Sequence, residues 1–182
     1  MPTVEIKTKL TKQQVKDILH DLPKILAGKK WDRWGLRDVF YGVLAHELYT
    51  RIGKAFEVKA TGLSDSLGNL WKPLAKRTLD HRKAPKLIRK YPLALQNLIH
   101  RISDKMFDTL KPGTFDGSKY KPRRNQIFHH AHGTLTLGSK LDYASFAHEK
   151  RPLWPEDMSP WVDEAITIAI EKVMIRLKEV IQ

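Results

Sequence analysis

The chain has 182 residues, 41% of them hydrophobic, a mean hydropathy of -0.45 and a formal net charge of +13. That length suffices to bury a core, and no apolar run approaches the ~20 residues that span a bilayer. The lack of cysteine excludes disulfides, thiol nucleophiles and cysteine-based zinc sites. Met1-Pro2-Thr3-Val4-Glu5-Ile6-Lys7 has none of the apolar h-region of a secretory signal. The expectation is a chain made and used in a cytoplasm, or in something assembled there.

Val4 to Thr8 alternates like a short strand. Thr11-Lys12-Gln13-Gln14 has the form of a capping box. The helix it predicts carries Val15, Ile18, Leu19, Leu22, Ile25 and Leu26 on one side, is kinked by Pro23 and ends at Gly28. A second helix is expected from about Leu36 to Val58, because Leu36, Phe40, Leu44, Leu48, Ile52 and Phe56 recur every fourth position, with Val39, Val43 and Ala55 widening the stripe. It would be about 35 Å long, with Glu47 and Arg51 spaced as a helical ion pair.

Thr61 to Asn69 is turn material. Between Trp71 and Arg124 the chain carries fifteen Lys/Arg against four Asp/Glu, so most of the net charge is concentrated there. Residues 79–124 read as a basic inserted or loop region. Within it, Leu93 to Ile102 and then Asp104 to Leu110 are helical in pattern, and Lys111-Pro112-Gly113 is a stop. Thr114 to Arg124 reads as an exposed loop. Gln126 to Ala131 and Thr134 to Gly138 are strand-like runs joined across His132-Gly133, a hairpin with Leu135 and Leu137 turned to the core. A final helix opens at Ser159-Pro160 as N-cap and first residue, with Asp163 and Glu164 in its first turn. Its expected apolar face is Val162, Ile166, Ala169, Ile170, Val173, Leu177 and Ile181. The sum is an α+β fold over residues 1–182: a small antiparallel sheet packed against long helices in the N-terminal half and at the C-terminus.

Candidate chemistry is sparse. His129, His130 and His132 cluster on the hairpin, and strand alternation puts His130 and His132 on one face. A metal would need a further ligand such as His148, and neither a His-Glu-x-x-His helix nor paired acids near the hairpin complete the set. Exposed or hydrogen-bonded histidines are the expected reading, with no metal, cofactor or catalytic residue assigned. Gly-x-Ser-x-Gly and phosphate-loop patterns are absent. Lys83, Lys86, Arg89 and Lys90, then Lys119, Lys121, Arg123 and Arg124, are candidates to face DNA in a channel, with Tyr91 and Tyr120 as aromatics able to stack on bases. No base-reading motif accompanies them, so the contact expected is to phosphate, non-specific and salt-sensitive.

Two segments carry a resemblance. One is Gly68-Asn69-Leu70-Trp71-Lys72-Pro73-Leu74-Ala75-Lys76-Arg77-Thr78. The other runs from Gly138-Ser139 through Tyr143-Ala144 to His148-Glu149, followed by Arg151-Pro152-Leu153-Trp154. In this order, behind a helix ending near Phe56, they resemble the virion-morphogenesis (tail-completion) family of tailed bacteriophages. The similarity extends from about Val43 to the C-terminus. The basic stretch from Leu79 to Ile102 is longer than the family pattern, and Lys150 stands where a Gly is often nearby. The resemblance implies a non-enzymatic structural protein of the virion neck, at the head–tail interface. Copies would close into a cyclic ring, expected as a hexamer, that caps the tail tube and joins it to the head connector. The implied partners are other copies, neighbouring neck and tail proteins, and genomic DNA in the channel, with no membrane. Gly68, Trp71, Pro73, Leu74, Thr78, Gly138, Ser139, Tyr143, Ala144, His148 and Pro152 are the residues that the resemblance marks for scaffold or assembly. Trp71 and Leu74 are expected to clamp their loop on the sheet, Gly138 to bend the strand end, and Tyr143-Ala144 to pack beneath the following loop. A non-specific nucleic-acid-binding protein and a histidine-metal nuclease are the alternatives.

Overall fold

The computed structural model describes residues 3–6, 35–91, 105–131, 134–150, 152, 154 and 157–181. The helix expected over Val15–Leu26, the one expected over Leu93–Ile102 and the His132-Gly133 turn lie outside these residues. The fold is α+β, as the periodicities indicate.

Helix α1 (Leu36–Ala60) runs through the centre. Gly35 precedes it at φ 66°, a left-handed conformation that turns the chain into the first helical turn. The predicted every-fourth stripe is buried together with Val39, Val43 and Ala55 that widen it, but so are Tyr41, Ala45 and Tyr49. A helix covered on most of its circumference has no long polar face, which is why a surface-helix pattern describes it incompletely. Its most extensive partner is the C-terminal helix. That helix, α6 (Ser159–Ile181), buries Trp161, Ala165, Ala169 and Val173 along one line. Ala169 and Val173 of the predicted face lie on this line, but Val162, Ile166 and Ile170 are only partly buried, so the buried side is turned toward Trp161 and Ala165. The small side chains of Ala165 and Ala169 allow close helix approach. Arg51 of α1 reaches across to Glu164 at 2.6 Å rather than serving the expected pair along its own helix with Glu47. The α6 cap is also displaced: the Asp157 carboxylate accepts the Ser159 N–H at 2.8 Å, so the capping side chain comes two residues earlier than predicted.

The three-stranded sheet is antiparallel, in the order β1 (Thr3–Ile6), β5 (Thr134–Ser139), β4 (Gln126–Ala131). Central β5 pairs Gly138 with Thr3 on one side and with Ile127 on the other. Leu135 and Leu137 are buried, as alternation predicts. The Tyr49 hydroxyl of α1 enters this ladder. It accepts the Gly138 N–H at 3.0 Å and donates to the Ile127 carbonyl at 2.7 Å. Gly138 is therefore a ladder residue bonded to a helix side chain, not the bend that was expected.

The described residues of 79–124 are not one loop, and the helix expected up to Leu110 is among their elements. They include most of α2 (Lys76–Arg82), then α3 (Pro85–Lys90), α4 (Lys105–Leu110) and the hairpin of β2 (Thr114–Phe115) with β3 (Tyr120–Lys121). Two polar side chains order the hairpin. The Asp116 carboxylate accepts Ser118 N–H and Lys119 N–H, closing the turn. Buried Gln126 donates to the Thr109 and Lys111 carbonyls and accepts from Tyr120 O–H and Arg123 N–H. One amide thereby joins α4, the hairpin and β4.

Candidate assembly site

The two segments that carry the resemblance meet at a residue that belongs to neither. Lys59, in the last turn of α1, is 1% exposed. Its ammonium donates to the Pro152 carbonyl at 3.1 Å, lies 3.6 Å from Asp65 Oδ2, and sits 5.1 Å from the centre of the Trp71 ring. Asp65 is held for this role by the turn that follows α1. Gly62 takes φ 84°, and the Asp65 carboxylate accepts the backbone N–H groups of Leu67 and Asn69 at 2.9 Å each. A buried ammonium needs such a counter-charge and acceptors to offset lost hydration. Burial lowers the Lys59 pKa, and the Asp65 charge and hydrogen bond oppose that shift.

Trp71 completes the join. Its indole Nε1–H donates to the same Pro152 carbonyl at 2.8 Å, and its ring packs edge-on against Phe56 at 5.0 Å. One carbonyl of the second segment thus accepts from both α1 and the first segment. Trp71 clamps its loop onto helix α1, not onto the sheet as expected, because Phe56 and Lys59 line that side of the helix. His148, on α5 (Ala144–Lys150), is half-buried with its ring 4.7 Å from that of Trp154. Burial, then the nearby Lys59 charge, hold its pKa below the ordinary histidine value, with Glu149 acting the other way. Beside this cluster is a cleft of about 370 Å³, lined by Leu67, Leu70, Trp71, Trp154, Asp157 and Pro160 among others.

Trp71, His148 and Pro152 are thus brought together, while Gly138 and Ser139 are buried apart from them on β5. Ser139 Oγ accepts the Leu141 N–H at 3.3 Å. Gly68 takes φ 80° in the exposed turn, Pro73 and Thr78 are exposed, and Leu74 packs partly on the core. Ala144 is fully buried, but Tyr143 is 45% exposed instead of packed beneath the loop. Phe146, one helical turn on, is 63% exposed. Lys59 and Asp65 were not singled out in the sequence. A lysine in a last helical turn reads as a surface cation favoured by the helix dipole, and an aspartate between two serines reads as an ordinary turn.

All eight candidate DNA-facing cations, Lys83, Lys86, Arg89, Lys90, Lys119, Lys121, Arg123 and Arg124, are exposed. Tyr120 is not available to stack on bases. It is buried against Tyr49, with ring centres 6.3 Å apart, and its hydroxyl accepts the Gly113 N–H. Burial pushes its pKa up to about 12. His129 is exposed, while His130 stacks on Tyr41 at 4.8 Å with Nε2 3.5 Å from Asp38. His132 lies outside the described residues. Among the described residues no three His, Asp or Glu side chains are grouped to hold a metal ion, and no helix is long and apolar enough to cross a membrane.

No protein-family model, curated protein or solved structure matches this chain.

Proposed function

We propose that this chain is a structural protein of a tailed-phage neck, of the tail-completion or tail-terminator type, whose copies form a ring between tail tube and head connector. The reading rests on the two segments that resemble that family. The observation that supports it best is how those segments are used. Their anchors serve internal fastening: Pro152 accepts from Lys59 and Trp71, and His148 packs on Trp154. Ahead of His148 the same second segment turns Tyr143 and Phe146 to solvent. A rigidly fastened frame that presents aromatic side chains is suited to joining another protein surface. Size-exclusion chromatography with light scattering and negative-stain imaging tests the proposal. Rings formed by the full chain, alone or on isolated tail tubes, are the expected result. A chain that stays monomeric and never associates with tubes or particles overturns it.

A second reading, non-specific nucleic-acid binding, is favoured by the eight exposed cations. Its signature is retention of any duplex sequence, with affinity falling steeply between about 50 and 200 mM salt.

A further inference from the structure

Three separate stretches of the chain bring their cations onto one hydrogen-bonded frame around buried Gln126. The Gln126 amide donates to the Lys111 carbonyl at the end of α4 and accepts the Arg123 N–H, so these two residues flank a single side chain. Arg123 Nε–H also donates to the Pro112 carbonyl at 2.8 Å. Asn125, at φ 64°, completes the turn from β3 into β4, and its carbonyl accepts the Lys140 N–H at 2.8 Å. The end of β5 is thereby set against the turn that carries Arg124. The Asp116 carboxylate fixes Lys119 in the β2–β3 turn, and Lys121 pairs with Thr114 across that hairpin.

Charge on this frame is only partly compensated. Asp108 pairs with Lys111 at 3.3 Å and Asp116 with Lys121 at 3.5 Å. Exposed Asp142, two residues past Lys140, is a further acid at its border. Among the described residues no carboxylate forms an ion pair with Lys119, Arg123, Arg124 or Lys140, and all four are exposed. No large apolar side chain is exposed among the described residues from Lys111 to Lys140. Tyr120 is buried, and Phe115 turns its ring toward Gly42 of α1. The exposed aromatics suited to a protein joint, Tyr143 and Phe146, belong to the segment that follows.

We propose that this frame is a docking surface for the phosphate backbone of a nucleic-acid duplex, with Lys119, Arg123, Arg124 and Lys140 as its contacts. The inference rests on the second reading above and deepens it: the contact belongs to the hairpin frame, gains Lys140, and leaves out the cations around α3. Helix α3 buries none of its side chains, so its cations lack the fixed support that the frame gives. Cations held in place by the fold lose little freedom on binding. A protein partner requires a water-excluding apolar centre, which the frame does not offer. Phosphates require only placed positive charge. Unpaired bases require an exposed ring to stack on, which favours a duplex over a single strand. Backbone contacts of this kind carry no sequence preference.

The test is fluorescence anisotropy of two labelled DNA duplexes of unrelated sequence, with the full chain and two full-length variants. The frame variant carries Lys119→Gln, Arg124→Gln and Lys140→Gln; the control carries Lys86→Gln, Arg89→Gln and Lys90→Gln. Each loses three positive charges, so the two differ in where the charge is removed and not in how much. All six positions are exposed, and unchanged circular dichroism melts verify the fold. The frame variant is expected to bind both duplexes at least about tenfold more weakly in about 100 mM salt. Its slope of log affinity against log salt is expected to flatten by about 2.7, since each phosphate contact contributes about 0.9. The control is expected to stay within about twofold of the natural chain. Equal losses in the two variants, or a larger loss in the control, overturn the inference and leave the second reading standing. So does a single strand that competes better than duplex, or polyglutamate that displaces the duplex at equal charge, which assigns the frame to an acidic protein. A natural chain that binds neither duplex in about 50 mM salt overturns both the inference and the second reading. None of these results bears on the ring, which light scattering tests separately.

Discussion

Lys59 shows how much one side chain can hold. Its ammonium has a carboxylate, a carbonyl and an indole face as neighbours, and two of those three come from distant parts of the chain. Lys59→Met leaves the Asp65 carboxylate buried without its cation, so a loss of about 3–5 kcal/mol in urea unfolding is expected. Adding Asp65→Asn to that variant recovers part of the loss, because the amide oxygen still accepts from Leu67 and Asn69. Tyr49→Phe removes the hydroxyl that serves Gly138 and Ile127 in the sheet. It is expected to lose about 1–3 kcal/mol, the penalty for stranded backbone groups. His148 sets a pH dependence with a definite sign. Its folded pKa lies below the ordinary 6.5, so the unfolded chain takes up the proton first. Its contribution to stability is complete above about pH 6.5 and is lost as pH falls through the folded value. Thermal melts at stepped pH check this, and His148→Gln is expected to flatten the curve in that window. The depressed carboxyls of Asp116 and Asp157 act only below their ordinary 3.8, so the two effects separate.

At the scale of elements, helix α1 accommodates the β2–β3 hairpin through a glycine. A Cβ on Gly42 would come within 2.8 Å of the Phe115 ring and 3.4 Å of Tyr120 Cβ. Gly42→Leu therefore has to displace the hairpin, and a destabilisation of about 1–3 kcal/mol is expected from chemical denaturation. The hairpin also illustrates a limit of local reading. Its composition of Gly, Pro, Lys and Arg is that of a loop, yet Gln126 and Tyr120 tie it into the core by hydrogen bonds across the chain. Polar residues that fasten at long range leave no periodic signal. Helix α1 and the β4–β5 hairpin, in contrast, were legible because their apolar repeats match the periods of helix and strand. The turn of α6 about its own axis was not, since several apolar stripes compete along it and packing on α1 selects the one with two alanines.

For the whole molecule, charge distribution governs association. A joint between copies that is held by opposite charges loses strength as salt shortens the electrostatic range to about 3 Å at 1 M. Sedimentation of the full chain at low and high salt is expected to shift from assembly toward smaller species. Association that strengthens with salt would instead identify a mainly apolar joint. Rings and DNA retention are compatible outcomes, because the hairpin cations Lys119, Lys121, Arg123 and Arg124 are separate from the α3 set.

Composition and periodicity were enough to specify an α+β chain, its two long helices and the hairpin strands, because burial of apolar repeats is a local and additive preference. They did not mark the two segments around Trp71 and His148, which a family resemblance singled out. They did not show that Lys59 joins those segments, that Tyr120 is buried, or which aromatic side chains remain in solvent. Those outcomes depend on which distant groups satisfy a buried charge or a buried carbonyl, and such partners become neighbours only when the helices and the sheet are in place.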